Sequence, residues 1–531
     1  MTVTPGRRVY LAAAGVLLGA GVVTLQQRLL SVGLPDLRGT LGLGIDEAAW
    51  IPSACDMALM FIGPLTVYLG AILGVRRVML FAIPVFGLAS FSIPFVSSYK
   101  SVIALQVLVG LSSGTFYPLA LAFALGSLPP KYAIYAVGAF SMELIATLSI
   151  STPLQAWFAE HWSNRWIFWA GPALALLMLA LVYVAVPEPA ARPPAKAKPS
   201  FLAFLLASAG LSLMLGVLQQ GERLDWLSSK TIVAMLTSGS FLVVAAVIRR
   251  IVSTNGLMNL RVLGDRNTLI IGLGGIFFVR FVLLAIAFLV PAYLGLVQGY
   301  RPLETGRVLS WSLTPLLLGG VVAAELMRRI DGRVVASIGI SLVGLGALAD
   351  SRLTSVWAAD DFWVSQWVLA SGLAWTLVAV VGMITEQLRE SGAVGPQGPV
   401  RPLDILTFAS FMQTVRLFGG QAGATILQRF VAQRELFHSN RLGYDLQAGA
   451  FATDERLQPL VASMTAAGSG LEDAHGRAVL LLGAQVRREA FTLAYADGFL
   501  VIAIVCVGFI LALGAMKTTK NHYAALVEST R

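Results

Sequence analysis

Apolar residues in this chain come in long runs of about twenty or more, broken by short polar turns, and not at the spacing of a half-buried helix or strand. A helix rising 1.5 Å per residue needs about twenty mainly apolar residues to cross a 30 Å hydrocarbon layer. That length picks out fourteen stretches: 9–33, 48–69, 77–97, 101–126, 133–156, 166–186, 201–220, 231–249, 268–297, 304–326, 334–350, 363–386, 404–430 and 494–516. Each is expected to be a helix, because lipid offers no partner for a backbone N–H or C=O.

Composition agrees with the pattern. The 531 residues are 57% hydrophobic and only 12% charged, with a mean hydropathy of +0.77. A soluble domain carries about 25% charged residues, so a set of soluble domains is excluded and an all-α polytopic membrane protein is expected. The net charge of +10 then bears on orientation and not on a nucleic-acid partner. With the N-terminus inside, alternation puts twenty Lys and Arg residues on the inner side, among them Arg7, Arg8, Arg76, Arg77, Arg328, Arg329, Arg333 and Lys517. The short outer loops hold eight, from Arg38 to Arg352. Both termini are therefore expected in the cytoplasm of a bacterial cell, next to anionic inner-leaflet lipid. The first run is too long for a signal-peptide core and reads as a retained helix. Cys55 and Cys506 lie within apolar runs and the four histidines are scattered, so no metal site is expected. With no Walker loop or dinucleotide fingerprint after a plausible strand, no cofactor, ATP-driven pump or catalytic domain is expected either.

Two segments break the rhythm. Residues 187–200 (VPEPAARPPAKAKP) read as a basic, extended cytoplasmic linker. Residues 431–493 read as one long, polar outer loop, whose second half, Glu472 to Glu489, has amphipathic helical spacing. That loop is either a solvated cap or a docking surface for a periplasmic adaptor. A weak internal repeat is also visible. GPLTVYLGAILGVRR places Arg76 and Arg77 twelve and thirteen residues after Pro64, and TPLLLGGVVAAELMRR places Arg328 and Arg329 thirteen and fourteen after Pro315. The expected organisation is a six-helix bundle (1–186), a linker with an extra helix pair (187–257), and a second six-helix bundle (258–531) carrying the outer loop.

Several motifs resemble the fourteen-span drug:proton antiporters of the major facilitator superfamily, the EmrB/QacA type, and the similarity covers nearly the whole chain. SVGLPDLRGTLGLGIDEAAWI is similar to the family's first-helix ending V-A-L-P-x-I and the Trp that follows it. LPPKYAIYAVGAF, NRWIFW, GERLDW, LVPAYLGLVQGYRPLETGRV and VRLFGGQAGATIL also match. The resemblance implies the major facilitator fold, two six-helix bundles plus two linker helices, and proton-driven drug efflux. For relatives it also implies assemblies with an adaptor and an outer-membrane channel. The charged signature positions differ. The loop motif G-x-L-A-D-R-x-G-R-R is reduced to Val67, Leu69, Ala71, Gly74, Arg76 and Arg77, with Ala71 where the aspartate would stand. The fourth-helix motif reads Gln106, Val109, Gly110 without its arginine, and the antiporter motif reads Ser151, Thr152, Pro153, Leu154, Gln155, Ala156. Gln26 replaces the first-helix aspartate.

Ionisable groups at membrane depth are costly unless paired or hydrated, so each is a functional candidate. Arg28 and Asp56 fall at similar depth on consecutive helices and are expected to pair. Arg28 shares a polar stripe with Thr24, Gln27 and Ser31, and Glu143 shares a face with Thr147 and Ser151. Arg280 and Arg416 lie near the middle of their helices. Gly419, Gly420 and Gly423 suit close helix packing. Three functions follow as alternatives. The first is proton-driven efflux of amphipathic drugs, with Glu143 and Asp56 as proton carriers. The second is a proton-independent facilitator or exchanger of an anionic metabolite, with Arg28, Arg280 and Arg416 as counter-charges. The third is an adaptor-recruiting component of a tripartite efflux system.

Overall fold

A computed structural model describes residues 7–127, 130–186, 201–252, 270–390, 402–444, 446, 449–468 and 470–516. Outside the described residues lie the Pro-rich linker, with Arg192, Lys196 and Lys198, and also Arg261, Arg266, Arg401, Lys517, Lys520 and Arg531. The side chains of Val67 and Ala71 lie outside them as well.

All fourteen apolar stretches are helical where described. They form α1 (Arg7–Leu41), α2 (Ile45–Leu73), α3 (Val75–Ser92), α4 (Tyr99–Ser113) continued by α5 (Phe116–Ser127), α6 (Pro130–His161), α7 (Trp166–Ala185), α8 (Phe201–Gln220) and α9 (Lys230–Val252). Beyond them run the short α10 (Ile276–Val282) and α11 (Val290–Leu296), then α12 (Pro302–Ser310), α13 (Leu313–Met327), α14 (Gly332–Asp350), α15 (Trp363–Glu390), α16 (Pro402–Tyr444), α17 (Phe451–Ala466) and α18 (Leu471–Gly514). Among the described residues twelve helical segments are long and apolar enough to span a membrane. The other two long rods, α6 and α16, run 32 and 43 residues.

Small residues set how closely these helices approach, as expected where lipid removes the hydrophobic drive between them. A Cβ on Gly372 of α15 would lie 2.6 Å from the Gly339 carbonyl oxygen of α14, and one on Gly210 of α8 would lie 2.9 Å from that of Gly239 in α9. Aromatic rings gather at one end of α6 and α7, where Trp162 and Trp166 meet at 4.5 Å between centroids and Phe91 stacks on Trp169.

Residues 431–493 depart from the expected loop. α16 runs on to Tyr444 and α18 already begins at Leu471, with α17 between them. At about 1.5 Å per residue, α16 and α18 each extend roughly 65 Å, about twice the hydrocarbon thickness. The polar composition marks where lipid ends, not where helix ends. Apolar residues interleaved in the segment bury against one another, with Leu457, Ala478 and Leu482 forming a small separate core beside Leu446, Leu460 and Val461. Ion pairs lock the two rods together: Asp497 accepts from Arg434 at 2.6 Å and contacts His438 Nε2 at 2.7 Å. The helix expected from Glu472 to Glu489 is the first half of α18.

The two basic turns of the repeat are built differently. Gly74 has φ 82°, which lets the chain reverse between α2 and α3, and Arg76 donates to the Tyr183 carbonyl at 2.9 Å while Arg77 is exposed. In the second turn Glu325 pairs with Arg328 at 2.9 Å and Arg329 at 2.8 Å. Asp331 caps α14 by accepting from the Arg333 N–H at 2.9 Å and the Arg333 guanidinium at 2.8 Å. Burial alone would raise the Asp331 carboxyl, but the hydrogen bonds and charge of Arg333 more than offset it and hold it below its ordinary value. The stabilisation from this cap is therefore present above the unfolded value near pH 3.9 and is lost as pH falls through the lower folded value. Asp331→Ala is expected to cost about 1 kcal/mol at pH 7, the usual worth of an N-cap. Thermal melts in detergent should show the gap between variant and parent closing below about pH 4.

Candidate functional site

The site begins with a local irregularity. The helical rod at 270–296 contains π-type turns at Ile270–Gly275 and Ala285–Leu289, and Arg280 sits on the short α10 between them. Such bulges rotate side chains out of the regular helical register. Here they accompany an arginine that faces α16, where Gly420 has no side chain to obstruct it. A Cβ at Gly420 would come within 2.4 Å of Arg280 Nη2. Gly419 and Gly423 lie instead against Phe277 and Phe281, the close packing expected of them.

Between α1, α2 and α8 on one side and residues 280–287 with α16 on the other lies a cavity of about 230 Å³. Thr24, Gln27, Arg28, Ser31, Asp56, Gln219, Arg280, Arg416 and Gln421 supply its polar lining. Arg280 and Arg416 also line a smaller adjoining cavity of about 40 Å³, together with Glu143 and Tyr117. The two arginines thus stand between the two carboxylates. Arg416 is 6% exposed, with its guanidinium 4.1 Å from the centre of the Tyr117 ring.

The expected Arg28–Asp56 pair does not form. Asp56 accepts instead from Gln27 Nε2 at 2.5 Å and Gln219 Nε2 at 2.7 Å. Arg28 borders the same cavity without a salt bridge among the described residues. Glu143 lies against Gly21 of α1. The Thr147 hydroxyl is 2.7 Å from the Glu143 carbonyl and 3.2 Å from its Oε1, one proton facing two acceptors, while Oε2 is buried with no hydrogen-bond partner.

Three of the polar candidates do other work. Gln26 turns away from the cavity and donates to the Ile167 carbonyl at 2.9 Å, tying α1 to α7. Gln106 is buried in α4 and lines neither cavity. Ser151 donates locally to the Leu148 carbonyl at 3.2 Å.

Other residues join the site unannounced. Gln219 belongs to the pair read as an extra linker, yet α8 packs on α2 through Gln219, through Ser212 (2.7 Å to the Met57 carbonyl) and through Gln220 (3.1 Å to the Ala49 carbonyl). Two adjacent polar residues near the end of an apolar run, Gln219 and Gln220, were the only signal. Asp350 is fully buried at the end of α14 beside Ser365 and lines neither cavity.

The motif segments turn out to be joints around this site. In GERLDW, Trp226 packs on Gly221 and donates to Glu222, which pairs with Arg429 of α16 at 2.8 Å. Gly306 of the LETGRV segment lies where a Cβ would be 2.7 Å from the backbone N of Pro153, closing α12 on α6.

Residues 16–300 match the Major Facilitator Superfamily. The chain belongs to that superfamily. It is therefore a membrane transporter of the major facilitator fold and not an enzyme, and at low identity it is similar to proteins of the EmrB type that its motifs resemble. It is 24% identical over 316 residues to the probable multidrug resistance protein EmrY of Escherichia coli strain K12, covering 59% of this chain and 61% of that protein. To the multidrug export protein EmrB of the same strain it is 20% identical over 439 residues, covering 82% of this chain and 83% of that one. The solved superfamily structure of the proton:xylose symporter XylE superposes with a TM-score of 0.54 at 12% identity, covering 98% of each chain, and supports the fold alone.

Proposed function

We propose that this superfamily member exports amphipathic organic compounds across a bacterial inner membrane by alternating access, in exchange for protons. The observation that carries the reading is the cavity itself. It lies between early and late helices, and one membrane-depth carboxyl, Asp56, lies on its wall while a second, Glu143, lies just behind Arg280 and Arg416. The multidrug export named for EmrB supports the substrate class. In this reading the halves 1–186 and 258–531 rock about the cavity, both termini face the cytoplasm, and Asp56 and Glu143 carry the protons. The α16–α18 projection is the surface we assign to a periplasmic adaptor; adaptor pull-down unchanged after deletion of 447–470 would refute that assignment.

The test uses inverted vesicles containing the full chain and a fluorescent amphipathic substrate. An acidic lumen is expected to drive accumulation roughly tenfold above gradient-free vesicles, the exit of one proton from the lumen per substrate taken up, down one pH unit, being worth a factor of about ten. A protonophore should abolish the difference. Accumulation indifferent to the gradient would overturn proton exchange.

A further inference from the structure

Resting on the transport reading above, we infer that the central cavity binds the anionic group of an amphipathic organic acid, with Arg280 and Arg416 as the recognising pair. The charges on the lining point this way. Arg28, Arg280 and Arg416 face a single carboxylate there, Asp56, and Glu143 is the one carboxylate of the adjoining cavity. With both carboxylates ionised, a positive charge remains in excess.

The pairing is as telling as the count. None of the three guanidiniums makes a salt bridge within 4.0 Å among the described residues. Asp56, the natural partner, is occupied by two amides. Arg280 keeps Nε and Nη1, and Arg416 keeps Nε, buried with no acceptor. Buried arginines that serve only to hold helices together are normally paired with carboxylates or backbone carbonyls, and these donors are not.

The geometry suits one planar oxyanion. A guanidinium presents its donors as a fork that matches a carboxylate. The Tyr117 ring lies against the Arg416 guanidinium and supports it, and Gly420 lets Arg280 lie close along α16. Leu30, Leu283, Leu284 and Leu417 supply apolar lining to the same cavity. A volume of about 230 Å³ accommodates one or two rings bearing a single acid group. The ligand class is thus a monoanionic carboxylate on a compact apolar body.

Three probes sharing one ring system separate charge from shape: 2-naphthoate (negative), 2-naphthamide (neutral) and 2-naphthylmethylammonium (positive). Equilibrium binding is measured by fluorescence on the full chain in lipid nanodiscs. Naphthoate is expected to bind at least about tenfold tighter than the other two, the scale of one charge-assisted hydrogen bond. Arg280→Gln and Arg416→Gln should each remove at least that factor for naphthoate and leave naphthamide within about twofold. Equal binding of the three probes, or naphthoate affinity unchanged in Arg280→Gln, would overturn the inference. Should Arg416→Gln not elute as a monodisperse protein, Gly420→Ala replaces it. That change displaces only the flexible end of Arg280 and is expected to weaken naphthoate selectively.

Uptake into proteoliposomes distinguishes the two readings. Naphthoate bound but never moved supports the anion site and overturns transport. Naphthylmethylammonium moved while naphthoate is neither bound nor moved overturns the anion site and leaves transport standing.

Discussion

Glu143→Gln is expected to reduce pH-gradient-driven transport by about 100-fold or more, the usual contribution of a positioned proton-transfer group, while the protein still folds. Little holds this carboxyl in place. A side chain kept for structure alone would be ion-paired or fully hydrogen-bonded, whereas Glu143 has only the Thr147 and Thr24 hydroxyls beside its carboxyl, no salt bridge among the described residues, and no well-formed hydrogen bond to Oε2. Glutamine has the same shape, keeps the Thr147 contact to the backbone carbonyl, and cannot exchange a proton. Asp56→Asn is the informative companion. Its two oxygens accept from Gln27 and Gln219, so asparagine must turn an NH2 toward one of these amides or force it to flip. It is expected to lose both coupling and some stability, where Glu143→Gln loses coupling alone. The measurement is substrate accumulation in inverted vesicles across lumenal pH, with thermal melting of the same preparations. Parent-like, pH-dependent accumulation by Glu143→Gln would remove Glu143 as a carrier.

The cavity was legible in outline because of what membranes penalise. A charge inside a long apolar run stands out, and Arg28, Asp56, Arg280 and Arg416, found that way, all border one space. Gln26 and Gln27 were both site candidates, and the structure separates them. Thr24, Gln27, Arg28 and Ser31 share a face that reaches the cavity, and Gln26, roughly 200° around the helix from Arg28, meets α7 instead. Spacing within a helix could not say which partner a side chain takes across helices. Arg28 and Asp56 were matched by depth and charge, but α8 inserts Gln219 against Asp56. That insertion depends on how α8 docks on α2, a contact more than 150 residues apart in sequence. Residues 431–493 escaped for a related reason. Hydropathy reports the boundary of the membrane, while helix continues wherever no breaker stops it and a neighbouring rod covers its apolar side.

Gly110→Leu is the substitution expected to do the most damage to the fold. Gly110 of α4 and Gly114, the residue that caps its C-terminal end, lie four residues apart, and both face α2. A Cβ at Gly110 would stand 2.2 Å from the Cys55 carbonyl oxygen and 2.8 Å from Ala58 Cβ, and one at Gly114 would stand 2.3 Å from Ile62 Cγ2 and 2.7 Å from the Leu59 carbonyl oxygen. The obstacle at Gly110 is main chain, which cannot swing aside like a side chain, so the helices must separate. Overpacking of this kind costs about 3 kcal/mol or more when backbone is displaced. The consequence reaches the site, because the strip of α2 that Gly110 touches carries Asp56 on the adjacent residue. Moving α2 away from α4 pushes Asp56 toward Gln27 and Gln219 and closes the cavity from that side. Gly110→Leu is therefore expected to elute largely aggregated on detergent gel filtration, with Gly110→Ala folded but melting several degrees lower and weaker in substrate binding. The sequence motif that ended in this glycine had lost its arginine and retained Gly110. The contact with the Cys55 carbonyl explains how the packing half of that motif persists without the charged half. A Gly110→Leu protein with parent-like melting and binding would mean that α4 does not set the position of Asp56.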